Sequence, residues 1–196
     1  MAEYSVREFI EEVQQAAERQ VSLKKQLSKR DSVPSKSDIA DVEQRLKCRL
    51  PQILIELMIS LEVSGVQIGH IVFGMGGFNF PLSLIEQNLN IDDPGFLTDR
   101  GLLSIGLEVN WASPLCIPRE FEDSAEGPPL YVLDHETGNV VGPIYGDFLT
   151  FLQGQAYLCG VWTEDVSTVR PGIEQILGDT LHGPAADYWE EFFEVF

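Results

Sequence analysis

Leu130-Tyr131-Val132-Leu133-Asp134-His135-Glu136-Thr137-Gly138-Asn139-Val140-Val141 decides the fold class. Two short apolar runs flank a polar stretch ending in Gly138-Asn139, a pair that tolerates positive φ, so the segment reads as a β-hairpin. Val140 to Ile144 continues the second arm, and Pro143 in it cannot donate to a ladder, which puts the end of that strand at a sheet edge. Working outward, Val66-Gln67-Ile68, His70 to Phe73, Leu102 to Ile105 and Leu115 to Ile117 share its character: short, apolar and bounded by Gly, Pro, Asn or Asp. Together they predict an antiparallel sheet of about 4 to 6 strands.

Helical spacing surrounds these strands and makes the fold class α+β. Ser5-Val6-Arg7-Glu8 has the form of a capping box, and Val6, Phe9, Ile10, Val13 and Ala17 follow on one face of an N-terminal helix. The polar stretch Asp31-Ser32-Val33-Pro34-Ser35 reads as a linker. A second helix is expected from Ser37 or Asp38 with Ile39, Val42 and Leu46 inward, and a third over Gln52 to Glu62 with Pro51 at its first position. Pro81 to Asn88 predicts a short helix after a Gly74-Met75-Gly76-Gly77 break. Asp147 is placed to cap a helix that runs through Gln153 and ends at Gly154. Beyond it, loops are expected around Pro171-Gly172 and Gly183-Pro184, then an acidic helix docking Trp189, Phe192 and Phe193. The expected organisation is a helix and linker over residues 1–36, a core domain over 37–153 and an acidic helical extension over 154–196.

Charge is unevenly spread along the chain. The net charge is −18, yet residues 1–50 carry ten Lys or Arg against nine Asp or Glu, while the remainder carries three against twenty-two. A field of that sign repels nucleic acid and anionic membrane and attracts basic proteins. Ile53 to Leu61, the longest apolar stretch, is interrupted by Glu56 and is too short to span a bilayer. Glu3, Glu8, Glu11 and Glu12 occupy the start, where a secretory signal would need a basic residue and an apolar run, so a cytoplasmic location is expected.

The sequence nominates no reaction, metal or cofactor. Gly74, Gly76 and Gly77 lack the third glycine of a dinucleotide loop, with Asn79 in its place, and no Gly-Lys-Ser/Thr exists for a phosphate loop. Asp134, His135 and Glu136 are adjacent, so on a strand they point to alternate faces and cannot grasp one reacting atom. His70, His135 and His182 have no ligand-pair spacing, and no serine sits in G-x-S-x-G. Cys48, Cys116 and Cys159 are odd in number and widely spaced, and read as buried, inert thiols.

Ile39-Ala40-Asp41-Val42-Glu43-Gln44-Arg45-Leu46, then Leu50-Pro51 and an apolar helix, resembles the opening of the SUKH superfamily, which includes bacterial immunity proteins and yeast cell-wall-synthesis regulators. Leu103-Ser104-Ile105-Gly106, Leu130 to Glu136 and Asp147-Phe148-Leu149-Thr150-Phe151-Leu152 resemble its strands and closing helix in the same order, over roughly residues 37 to 153. Val63-Ser64-Gly65 stands where the family usually has Asn-Gly, and Asn110-Trp111-Ala112 where it has a Gly-Asp turn. The resemblance implies a SUKH-like sheet and an immunity protein that binds and neutralises a cognate secreted or polymorphic toxin, commonly a nuclease or another cytoplasm-acting effector. It implies no catalytic residues.

The partner-binding surface expected on this reading is Asp92, Asp93, Asp99, Glu108, Trp111, Glu120, Glu122, Asp123 and Glu126, which flank the predicted strands. The protein is expected to bind one-to-one or as a homo-oligomer, without nucleic acid or membrane. A regulatory scaffold, a DNA mimic and an enzyme with an unrecognised site remain open.

Overall fold

Short apolar strands and tight turns give a meander. In the computed structural model, which describes residues 4–27, 33–61, 65–74, 82–89, 95–134, 136–161 and 166–195, six strands pair consecutively and all antiparallel. They are β1 (Gln67–Ile68), β2 (Ile71–Phe73), β3 (Leu102–Glu108), β4 (Pro114–Pro118), β5 (Leu130–Leu133) and β6 (Val140–Tyr145). The protein is α+β, as expected, and β6 with Pro143 forms one edge of the sheet. In the β5–β6 hairpin the Asp134 carboxylate accepts the backbone N–H groups of Glu136 and Thr137 and the Thr137 hydroxyl. Gly138 takes positive φ (70°), whereas Asn139 does not. His135 lies outside the described residues, as do Asp31, Ser32 and the Met75 to Phe80 part of the glycine break.

Period-two alternation divides the sheet into two buried faces. Leu103, Leu115, Ile117 and Val132 lie on the face that joins the main core. Leu102, Cys116 and Leu133 lie on the other, covered by Leu97 of α6 (Gly95–Thr98). The first helix, α1 (Val6–Arg19), starts at Ser5, whose hydroxyl accepts the Glu8 N–H, and is followed by α2 (Val21–Leu27). The helix α3 (Lys36–Leu46) starts one to two residues before the expected position because Ser35 and Asp38 form a reciprocal capping box. In α4 (Gln52–Ser60), Pro51 is the cap and not the first helical residue. The helix expected over Pro81 to Asn88 is α5 (Leu82–Leu89).

The C-terminal quarter departs most from expectation. Asp147 does cap α7 (Phe148–Val161), accepting the Thr150 N–H at 2.7 Å, but the helix continues through Gly154 for two further turns. Gly154 is there for close approach: a Cβ at this position would sit 2.8 Å from the Tyr145 ring. The expected loop at Pro171-Gly172 is the interior of α8 (Val166–Leu177), where Gly172 admits the Tyr157 ring to 2.2 Å from where a Cβ would stand. Both glycines were read as backbone breakers, but each makes room for an aromatic neighbour. The last helix, α9 (Pro184–Val195), docks Trp189, Phe192 and Phe193 as expected. One core cluster runs from Val6 to Phe193, and a boundary after residue 153 would cut α7. Among the described residues, no helix is long and apolar enough to cross a membrane.

Candidate functional site

The acidic residues nominated from sequence do not form one surface. Asp92 and Asp93 lie outside the described residues. Asp99 is exposed just after α6, and Glu120, Glu122, Asp123 and Glu126 are exposed on the β4–β5 connection. This connection meets cations: Arg49 donates to Asp123 at 2.7 Å, and Glu120 borders a hollow with Lys47, Arg49 and Arg119. Glu108 was expected on the partner-binding surface and is instead fully buried (0 % exposed). The reason is register: Glu108 pairs with Ile71 and therefore shares the core face of the sheet.

Glu108 and Trp111 belong to the opposite end of the β3–β4 ladder, where a cleft of about 420 Å³ opens. The β3–β4 turn contributes Trp111 and Ser113, and the hairpin contributes Asp134 and Glu136 with Val132 and Val141 behind them. The helix α9 supplies the remaining wall through Pro184, Asp187, Tyr188 and Glu191. Positions 184, 187, 188 and 191 recur at helical spacing, so they share one stripe of α9 while Trp189, Phe192 and Phe193 face the core. Among the described residues that line the cleft, four are acidic and none is Lys or Arg.

Trp189 anchors this wall. It is 1 % exposed, donates its indole N–H to the Ile144 carbonyl at 3.1 Å, and meets the Tyr145 ring edge-on at 5.4 Å. His70 packs beneath it between Trp189 and Phe192, with its backbone N–H held by Gln155. Burial pushes the His70 imidazole down to about 3, so it is neutral at physiological pH. It is a core residue.

Two polar side chains behind the cleft are incompletely satisfied. One Glu108 carboxylate oxygen accepts the Trp111 N–H at 2.8 Å, while the other has no partner among the described residues. Desolvation raises the Glu108 pKa, and the N–H groups of Trp111 and Asn110 partly counter this. Tyr188 is 6 % exposed, stacks edge-on against Trp111 with ring centres 5.6 Å apart, and its hydroxyl also lacks a partner among the described residues. Burial, then the Glu108 charge, raises the pKa of that phenol. The arrangement is an aromatic-walled, electronegative recess suited to holding a cation by stacking and charge.

The thiols are poor nucleophiles: burial pushes Cys116 up to about 12 and also raises Cys48 and Cys159. Cys116 and Cys159 are buried, but Cys48 is only partly so. Among the described residues, no group of three or more His, Cys, Asp or Glu is placed to hold a metal ion. The α9 wall was not among the expected site residues: the sequence assigned that acidic helix only the docking of Trp189, Phe192 and Phe193. The i, i+4 pair Asp187 and Glu191 beside Tyr188 was the available signal. No family model matches the chain, and searches of curated proteins and of solved structures return no match either.

Proposed function

We propose that this chain is an immunity protein of SUKH type that binds a cognate toxin in the cytoplasm and blocks a basic surface on it. The observation that carries the reading is the cleft at one end of the sheet, where four acids surround Trp111 and Tyr188. Aromatic side chains that can be desolvated at the centre of an interface dominate binding energy, and acids around them select a basic partner. The strong acidity also suits speed, since electrostatic steering raises association rates to about 10⁸–10⁹ M⁻¹s⁻¹ at low salt. Binding by surface needs no catalytic residue and no cofactor.

The test is co-expression with a toxin encoded beside the gene. Restored growth, a stable complex on gel filtration and an affinity that falls as salt rises are the expected results. Unprotected cells, with no complex between the purified proteins, would refute the reading. Displacement of the chain from the toxin by duplex DNA would point to a DNA mimic.

A further inference from the structure

Buried polar atoms without partners are uncommon in folded proteins, and each asks for an explanation. Two of them, the second Glu108 carboxylate oxygen and the Tyr188 hydroxyl, are buried beside one recess, whose lining includes Tyr188 but not Glu108. Their charges and dipoles are close enough for Glu108 to influence the Tyr188 phenol. In front of them stand the half-buried Trp111 ring and the exposed carboxylates of Glu136, Asp187 and Glu191. Asp134 adds negative charge while holding the hairpin turn.

We propose that this recess receives an arginine side chain presented by a basic protein partner, with its guanidinium against the half-buried Trp111 ring and among the surrounding carboxylates. This assignment deepens the immunity reading and rests on it for the identity of the partner. Arginine is chosen over lysine because a planar, weakly hydrated guanidinium stacks on aromatic faces and offers five donors in a fixed fork. Those donors match the carboxylates that line the recess, Asp134, Glu136, Asp187 and Glu191. The volume of about 420 Å³ falls within the range of about 300–1,000 Å³ common for ligand sites. The opposite end of the β3–β4 ladder does not compete for the same ligand, because Lys47, Arg49 and Arg119 already lie among its acids.

The experiment uses the full chain and two blocked peptides, Gly-Arg-Gly-Arg-Gly and the same peptide with citrulline for arginine, titrated by NMR. The arginine peptide should bind and shift the indole N–H resonance of Trp111, with citrulline weakening binding about tenfold or more. The triple variant Glu136→Gln, Asp187→Asn, Glu191→Gln alters only exposed side chains and should weaken arginine binding about tenfold. The control Glu120→Gln, Glu122→Gln, Asp123→Asn, Glu126→Gln should change it less than about twofold. Equal binding of the two peptides, no binding, or an equal loss in the control variant would overturn the assignment. Arginine binding without protection of cells from a neighbouring toxin would retain the site and refute the immunity reading. Protection and toxin affinity unchanged in the triple variant would do the reverse.

Discussion

The two ends of the β3–β4 ladder are built from the same kinds of residue and end up electrostatically different. At one end, Asp123 and Glu120 face Arg49, Lys47 and Arg119, and the Arg119 guanidinium also donates to the Leu46 carbonyl at the end of α3. At the other, Asp134, Glu136, Asp187 and Glu191 gather around Trp111 and Tyr188 with no Lys or Arg among the described lining residues. Arg100 reaches the Gly138 carbonyl of the hairpin at 3.2 Å but does not line the cleft. Lys47 and Arg49 belong to the nearly neutral first fifty residues, which fold against the acidic β4–β5 connection. Charge segregated along the chain is partly recombined in space at the first end of the ladder, and the four acids of the cleft lie where that recombination does not reach.

The contrast depends first on α9 staying in place. Trp189→Ala removes a buried ring and its bond to Ile144, and should cost about 3–5 kcal/mol in urea unfolding. Loss of arginine binding at the cleft, with the far end unaffected, should accompany it; a cost below about 1 kcal/mol would show that α9 is held mainly elsewhere.

A smaller effect separates the buried acid from the exposed ones. Burial raises the Glu108 pKa above its ordinary 4.5, so folding favours the protonated form. Its contribution is most favourable below pH 4.5 and is lost as pH rises through the raised value. Glu108→Gln should therefore stabilise the protein more, or destabilise it less, at pH 7 than at pH 3. Urea midpoints at the two pH values decide it, and a difference independent of pH would mean that the carboxylate is well solvated.

The smallest effect belongs to the mixed-charge end. The Arg49 and Asp123 side chains are 75 % and 57 % exposed, so Asp123→Asn should change stability by less than about 0.5 kcal/mol in thermal unfolding. A loss above about 1 kcal/mol would make that end a structural clamp and erase the contrast.

Most strands were legible because they are short, apolar and bounded by turn residues, and Leu130 to Val141 carried its turn chemistry in plain view. Gly154, Pro171 and Gly172 misled because a glycine that admits an aromatic ring looks, in one dimension, like a glycine that ends a helix. Glu108 misled through register: it pairs with Ile71, and only that pairing sends it inward. The cleft was half legible, since Trp111 was singled out but its partner Tyr188 lies seventy-seven positions away and joins it only through the docking of α9.

Asn88 carries a consequence of another kind. Its carboxamide accepts the Ser104 N–H at 2.9 Å and donates to the Ser104 carbonyl at 2.8 Å, repeating with one side chain what a neighbouring strand does with its backbone. At that point β3 is closed against strand addition from another molecule, the route by which open sheet margins recruit copies into aggregates. A single helical amide thus completes the backbone pairing of β3 beyond the residues that β2 reaches.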